Sequence, residues 1–281
     1  MTSARVVVWR DGTATVVAPD EPVVTGFDLG LGRGDGVFES VLVTGGATPH
    51  LDAHLARLRR SASITELTHP GDDAVRAVVA AGVADWPAEV EGACRVLLTR
   101  GLGDDGPPTL LALLAPVPAE TLRQREQGIA VVTLSLGVPA DVRATAPWLL
   151  GGAKTLSYAV NMAALRHAHA VGADDVVLTS VEGRLLEGPT STVVWAAGGR
   201  LHTPPVDTGI LAGTTQARLF DRAEADGWPT TVIPGSVEDL RSADAVWLLS
   251  GIRGAATVTR LDDVPRGDAG LSRRVRELLA R

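Results

Sequence analysis

The sequence predicts an α+β protein of two domains, and three observations support this prediction. The chain of 281 residues is long enough for two domains. Each half combines strand-like with helix-like patterns, so each half predicts a sheet with helices. Between the halves, the stretch 116–127 is polar and carries two prolines, as linkers commonly do. We therefore predict domains over residues 1–117 and 128–281, joined by a linker over residues 118–127.

In the first half, the dipeptide Asp11-Gly12 between two apolar runs predicts a β-hairpin. Apolar residues from Leu51 to Ala62 recur at helical spacing and predict a helix with one buried face. Strands are predicted over residues 6–9, 13–17, 37–43, 95–99 and 109–114, and helices over residues 50–62 and 72–84.

The second half is predicted to begin with a strand and to end with a helix. An alanine-rich helix ends at Gly172, because glycine commonly terminates helices. The dipeptides Glu182-Gly183 and Gly198-Gly199 predict two hairpin turns. Strands are predicted over residues 129–134, 176–179, 184–186, 192–196, 200–202 and 245–249, and helices over residues 157–171, 214–225 and 271–280.

Charge and cysteine content narrow the class of protein. The net charge of −7 disfavours broad nucleic-acid binding, which needs a basic surface, but permits a small anionic substrate. The single cysteine, Cys94, cannot form an internal disulfide, so we expect a reducing, cytoplasmic environment and a buried inert thiol. Residues 1–22 lack a signal-peptide pattern, and no apolar run is long enough to cross a membrane. We therefore expect neither a nucleic-acid nor a membrane partner.

Lys154 is the only lysine, whereas the chain contains 25 arginines. Lysine, unlike arginine, can form a Schiff base and can lose its proton near neutral pH once it is desolvated. A lysine retained in the apolar, glycine-flanked run 151–161 therefore indicates a reactive amine. The alternative is a residual surface lysine in an arginine-rich chain, and this residue alone does not decide between the two.

Two further segments have the chemistry of a cofactor site. Glu187 ends an apolar strand and precedes Gly188-Pro189, so its carboxylate has the position to hold a proton on a pyridine ring. The run Gly209–Thr215 leads into a helix, where glycines, hydroxyls and unpaired N–H groups form a phosphate cradle. The alternatives are an exposed strand-end glutamate and an ordinary N-cap at Thr214.

Three other motifs either give weaker evidence for a binding site or argue against one. Arg57 lies between two leucines of a predicted helix, so it is a candidate phosphate ligand. His50 and His54 are four residues apart but lack a third ligand, so no metal site is predicted. The glycine-rich run 30–36 precedes a strand and not a helix, which excludes a dinucleotide-binding turn.

Taken in order, these segments resemble the fold-type IV pyridoxal-phosphate enzymes. That family includes branched-chain aminotransferases, D-amino acid transaminases and 4-amino-4-deoxychorismate lyases. The resemblance covers most of the chain. It rests on Gly34–Glu39, on His54-x-x-Arg57-Leu58, on Lys154 followed 33 positions later by Glu187, on Gly209–Thr215 and on Ser250–Gly254. It implies a small N-terminal α/β sandwich, a larger C-terminal β-barrel-like domain, pyridoxal 5′-phosphate as cofactor, and a homodimer.

The resemblance also implies residue roles. Lys154 matches the Schiff-base lysine, Glu187 the pyridine-nitrogen carboxylate, and Arg57 a phosphate ligand. The implied cofactor-binding residues are Arg57, Lys154, Tyr158, Glu187, Thr192, Ile210, Thr214, Thr215, Ser250 and Gly251. The implied substrate residues are Phe38, Ser40, Arg100 and Arg253. For Tyr158, the only tyrosine, packing in the helix is an equal alternative.

The reaction is the most detailed prediction that the resemblance allows. Chain length, the segment around Lys154-Thr155-Leu156-Ser157-Tyr158, and Ser40 favour the lyase branch, which releases pyruvate from aminodeoxychorismate to give 4-aminobenzoate for folate biosynthesis. Thr192 and Gln216 depart from the residues usual in the family. The loop Gly101–Pro108 lacks the arginine–histidine pair of D-amino acid transaminases. An aminotransferase acting on branched-chain or D-amino acids is the alternative, and a non-catalytic binding protein with this fold is a third.

Overall fold

The computed structural model describes residues 4–103 and 106–280. The chain divides into two compact units, Met1–Pro118 with Ala153–Tyr158, and Ala119–Gly152 with Ala159–Arg281. The predicted boundaries assign residues 153–158 to the second domain, whereas their contacts group them with the first unit. Within the described part of the chain, no helix is long and apolar enough to cross a membrane.

The first unit is an antiparallel sheet with helices. Its strands are β1 Arg5–Arg10, β2 Thr13–Val17, β3 Gly36–Val43, β4 Gly92–Thr99 and β5 Thr109–Pro116, and its helices are α1 Leu29–Arg33, α2 Leu51–Ile64 and α3 Asp72–Val83. The strand order is β2-β1-β5-β4-β3. The hairpin of β1 and β2 turns at Asp11 and Gly12, both at positive φ, as the dipeptide predicts.

The core of this unit lies on the face of the sheet that α2 and α3 cover. Along β3 the burial alternates, so Val37, Glu39 and Val41 point into the core. Phe38 and Ser40 therefore point to the opposite face. Cys94 is buried in this core, and burial raises the pKa of its thiol to about 12, which confirms an inert thiol.

Residues 153–158 extend this sheet beyond the edge strand β3. Thr155 forms an antiparallel bridge with Val37. Phe38 N donates to Lys154 O at 2.9 Å, and Leu156 N donates to Gly36 O at 2.8 Å. Glycine is required at position 36, because a Cβ there would approach the Leu156 side chain and the Leu98 carbonyl oxygen to 2.7 Å. A segment distant in sequence is therefore held as an added strand.

The second unit is built around a larger mixed sheet. Its strands are β6 Ile129–Ser135, β7 Asp175–Thr179, β8 Thr192–Ala197, β9 Arg200–Thr203, β10 Thr230–Val232, β11 Ala245–Ser250, β12 Gly254–Leu261 and β13 Val264–Pro265. Its helices are α4 Ala119–Gln127, α5 Val142–Thr145, α6 Ala159–Ala170, α7 Thr214–Ala225, α8 Val237–Ser242 and α9 Ala269–Ala280. Short 3-10 turns cover Pro147–Leu149 and Val206–Thr208.

The strand path β10-β9-β8-β11-β12-β6-β7 curls towards closure, which gives the barrel-like form that the resemblance implies. Residues 184–187 make the link between its ends. Leu178 N, in β7, donates to Glu187 O at 2.9 Å, and Leu185 N donates to Gly235 O, beyond β10, at 2.7 Å. Glu187 therefore lies at the end of the segment that joins the two ends of the path.

Most of the predicted linker over residues 118–127 forms α4. None of the residues of α4 is buried, so the helix needs no apolar stripe and its composition is as polar as that of a loop. Arg125 nevertheless donates to Ile252 O, and Gln124 accepts from Arg253, so the helix is fixed on the second unit. The sequence pattern also did not predict helices α1, α5 and α8 or strands β10, β12 and β13.

Candidate active site

The amine of Lys154 lies in a small aromatic environment in the first unit. The residue is 8% exposed, and its Nζ is 3.2 Å from Tyr158 Oη. The same Nζ lies 4.4 Å from the centroid of the Phe38 ring, and the Phe38 and Tyr158 rings meet edge to face at 5.1 Å. The surface-lysine alternative is therefore wrong, and the fold brings Phe38 and Tyr158 together with Lys154.

The backbone of Lys154 is also fixed. Besides its carbonyl bond to Phe38, its N–H donates to Ser61 Oγ at 3.0 Å. Ser61 lies on α2 and is fully buried. The sequence analysis did not find Ser61, although its spacing of four residues after Arg57 places both on one side of the helix.

Arg57 is held by a buried carboxylate on the core face of β3. Its Nε donates to Glu39 Oε1 at 2.7 Å and its Nη2 to Glu39 Oε2 at 2.8 Å, while His54 Nδ1 lies 2.7 Å from Oε2. Burial raises the pKa of Glu39, but the hydrogen bonds and charges of Arg57 and His54 outweigh burial and lower it to about 2. Glu39 is therefore an anion that orients the predicted phosphate ligand.

The other two residues predicted for substrate in this unit differ from each other. Ser40 is half-buried on the same face of β3 as Phe38, two residues further along the strand. Arg100 donates to Asp35 at 2.8 Å and to the carbonyl oxygens of Thr65 and Glu66 at 2.8 and 3.1 Å. These bonds tie the start of β3 to the end of α2, so the geometry favours a structural role for Arg100.

Glu187 of the second unit has two neighbours that hold its carboxylate. Leu211 N donates to Oε2 at 3.0 Å, and Arg143 Nη1 lies 3.5 Å from Oε1. Arg143 also donates to Gly209 O at 3.2 Å, and a Cβ at Gly209 would lie 2.5 Å from the Arg143 Cβ. The absence of a side chain at Gly209 therefore seats Arg143 beside Glu187. The sequence carries no local signal for Arg143.

The start of α7 has the features of an anion cradle. Its N-cap, Gly213, has no side-chain capping bond among the described residues. A Cβ at Gly213 would lie 2.3 Å from Thr192 Oγ1, so glycine permits this close approach. Thr214 is half-buried and Thr215 buried in the first turn. The N–H groups of a first helical turn favour an anion such as phosphate.

The other predicted site residues of the second unit lie in a loop, at the end of a strand and in a turn. The side chain of Ile210 is buried in an apolar cluster, so only its backbone is suited to a ligand. Ser250 ends β11, and Gly251 follows in the turn to β12. Arg253 donates to the buried Asp175 at 2.6 Å and to Gln124 at 3.1 Å. This pairing neutralises Arg253, so the geometry favours a structural role over the predicted contact with substrate.

Comparison with known proteins identifies the class. The profile of the class IV aminotransferases matches residues 36–261. A bifunctional aminodeoxychorismate lyase / D-amino acid transaminase of Mycobacterium tuberculosis is 42% identical over 265 residues, 91% of each chain. The PLP-bound structure of a hypothetical aminotransferase from Mycobacterium tuberculosis is 40% identical, with a TM-score of 0.93 over 99% of this chain and 98% of that one. The fold IV transaminase CpuTA1 from Curtobacterium pusillum is 43% identical, with a TM-score of 0.92 over 99% and 100%.

The chain therefore belongs to the class IV aminotransferase family and is a pyridoxal-phosphate-dependent enzyme. This excludes the non-catalytic alternative. The donor set fits the cofactor: Lys154 offers a buried amine, Glu187 an oriented carboxylate, and α7 a helix start with a glycine N-cap. Among the described residues, no group of three or more His, Cys, Asp or Glu side chains is arranged for a metal ion.

Proposed function

We propose that the enzyme is a 4-amino-4-deoxychorismate lyase that releases pyruvate and forms 4-aminobenzoate for folate biosynthesis. The supporting observation is the placement of the Lys154 amine against Phe38, on the strand face that also carries the Ser40 hydroxyl. The name of the 42% identical relative includes aminodeoxychorismate lyase. The proposal assigns a proton-transfer role to Lys154 and a leaving-group contact to Ser40.

Bound pyridoxal phosphate supplies an electron sink at the substrate carbon that carries nitrogen. Lys154 Nζ would hold the cofactor at its aldehyde carbon and, once the amine of the substrate has displaced it there, would accept the proton from the substrate carbon. Tyr158 Oη, 3.2 Å from that Nζ, orients the amine. The Phe38 ring covers the amine at 4.4 Å and limits its contact with water.

The groups in the second unit act on the ring nitrogen and the phosphate. Glu187 would hold a proton at the ring nitrogen, while the Leu211 N–H and Arg143 keep its carboxylate in place. The backbone N–H groups of Ile210, Thr214 and Thr215 and the Thr215 hydroxyl would bind the phosphate. Arg57, of the first unit, is proposed as the side-chain cation for the phosphate. Thr192, Ser250 and Gly251 are proposed to line the same cofactor.

The decisive experiment supplies aminodeoxychorismate to the cofactor-loaded enzyme without a keto-acid acceptor. Stoichiometric release of pyruvate and 4-aminobenzoate is the expected result. Release should fall in Ser40→Ala, while the visible absorption of the bound cofactor remains, because Ser40 is assigned to the departing group alone. The absence of both products, in an enzyme that transfers amino groups, would overturn the lyase proposal.

A D-amino acid transaminase is the second candidate, since the same relative carries that activity in its name. A branched-chain substrate is the other form of this alternative. The Gly101–Pro108 loop lacks the arginine–histidine pair, although residues 104 and 105 lie outside the described residues. Amino transfer from D-alanine to 2-oxoglutarate, without pyruvate release from aminodeoxychorismate, would establish the transaminase in place of the lyase.

We further propose that the enzyme is a cytoplasmic homodimer. Large apolar side chains are solvent-exposed in each unit, including Phe27 at 85% and Trp148 at 78%. Exposed apolar groups of this size are typical of surfaces that associate. Sedimentation at twice the chain mass is expected, and sedimentation at the chain mass at micromolar concentration would contradict the dimer.

A further inference from the structure

The buried hydroxyl of Ser61 binds the backbone of Lys154, and the proposed mechanism does not use this contact. Lys154 N donates to Ser61 Oγ at 3.0 Å, and both residues are buried. Ser61 lies 93 positions from Lys154 in the sequence, so the bond joins α2 to the added strand segment. Since α2 also carries His54 and Arg57, its inward side contacts both Glu39 and Lys154.

We propose that Ser61 is a positioning residue that fixes the Lys154 backbone and thereby sets where its amine lies. Two backbone bonds of the segment, from Phe38 N to Lys154 O and from Leu156 N to Gly36 O, tie it to β3. They fix its distance from the sheet edge. The Ser61 bond acts from the helix layer below and restrains rotation of the segment about that edge.

This restraint matters because the Lys154 side chain is long and its chemistry is sensitive to position. A shift of about 1 Å in a reacting group costs on the order of a hundredfold in rate. Removing Ser61 Oγ leaves the buried Lys154 N–H without this acceptor. Because an unpaired buried N–H is unfavourable, we expect the backbone to shift until the N–H finds another acceptor. The segment therefore moves, and the amine moves with it.

The proposal rests on the role of Lys154 in the proposed function, so its first test uses the cofactor-free protein. In Ser61→Ala, hydrogen–deuterium exchange of the Lys154 amide is expected to accelerate by at least about tenfold. The Leu156 amide of the same peptide keeps its bond to Gly36 and should remain protected. Equal exchange of Lys154 in variant and wild type would overturn the proposal.

The second test is kinetic. In Ser61→Ala, kcat is expected to fall by about tenfold while KM stays within about twofold, because the reacting group is displaced and substrate contacts are retained. Ser61→Cys, with a weakly accepting sulfur of similar size, should recover part of the loss. A change confined to KM, or an unchanged kcat, would contradict a positioning role.

Ser272→Ala is the matched control. Ser272 is 3% exposed on α9, and its Oγ has no hydrogen-bond partner among the described residues. Its loss removes an equal volume from a buried helix without releasing a backbone N–H, so exchange and kcat should match the wild type. If wild type forms no visible cofactor band, the proposed function fails, whereas an unaltered Ser61→Ala with an intact band refutes this inference alone.

Discussion

Lys154 lies in the first unit and Glu187 in the second, and we call these units the lysine half and the carboxylate half. The two halves hold these residues by different means. In the first unit, Lys154 is attached to a strand edge and a helix, and Glu39 is buried with two cationic partners. In the second unit, Glu187 is held by a loop N–H and by Arg143, and its side chain is 20% exposed. Lys154 is therefore held against regular structure, whereas Glu187 is held by glycine-dependent loops.

The contrast has an energetic meaning. Buried charge networks lose much stability when one member is removed, because the remaining charge stays desolvated. Loop contacts of partly exposed groups are weaker and tolerate adjustment. We therefore expect substitutions in the lysine half to cause large losses, and substitutions in the carboxylate half to alter cofactor binding more selectively.

The largest effect is expected at Lys154. Lys154→Ala should lower the rate of product release by at least about a thousandfold and abolish the visible band of bound cofactor, because no other lysine is present. Lys154→Arg keeps a long basic side chain beside Phe38 but cannot bond to the cofactor aldehyde, so it should be equally inactive. A variant that retains a tenth of the wild-type rate would show that the amine is not the reactive group.

The next effect is expected at Glu39. Its pKa is lowered from 4.5 to about 2 in the folded state, so its ionisation stabilises the fold above about pH 4.5, and this contribution is lost as the pH falls towards 2. Glu39→Gln should cost about 3 kcal/mol at neutral pH, since each unit of pKa corresponds to about 1.4 kcal/mol. Urea unfolding of the cofactor-free protein measures this loss.

The same experiment at several pH values sharpens the prediction. Between about pH 4.5 and 2, the unfolding free energy of Glu39→Gln should fall less steeply than that of the wild type. Glu126→Gln, which removes an exposed carboxylate from α4, should follow the wild-type curve. Parallel curves for Glu39→Gln and wild type would mean that folding does not lower the pKa of Glu39.

The smallest effect is expected at Gly213, in the carboxylate half. Its backbone lies at φ −75°, which any residue adopts, so Gly213→Ala is opposed by the contact with Thr192 Oγ1 and not by backbone strain. Affinity for pyridoxal phosphate should fall by about tenfold, and affinity for pyridoxal, which lacks the phosphate, much less. Gly26→Ala, with nothing within 4 Å of the new Cβ, is the control. An equal loss of affinity for both ligands would show that the start of α7 does not bind the phosphate.

The fold was most predictable where periodicity was strong. The apolar face of α2, the turn at Asp11-Gly12, and the hairpin of β8 and β9 were confirmed. The helix α4 was missed because it buries none of its residues and thus lacks an apolar stripe. The strand β12 was missed because Gly254 and two alanines weaken its strand signal, although strands on both sides bury it.

The candidate site was predictable as a set of residue types and less so as a set of contacts. Lys154, Phe38 and Tyr158 lie together. Ser61 and Arg143 form contacts across long sequence separations, which a single sequence does not reveal. The resemblance assigns Arg100 and Arg253 to substrate, but each has a carboxylate partner brought to it by the fold.

Because Lys154 is the only lysine, its amine can be followed by chemical labelling. Apart from the α-amino group, an acylating or reductive-alkylating reagent finds one primary amine in the chain, and the residue that carries it is 8% exposed. Mass spectrometry of labelled protein therefore measures the accessibility of a single atom, Nζ, without a tag or an engineered probe. Occupancy of the site becomes a count of zero or one modifications per chain at that residue.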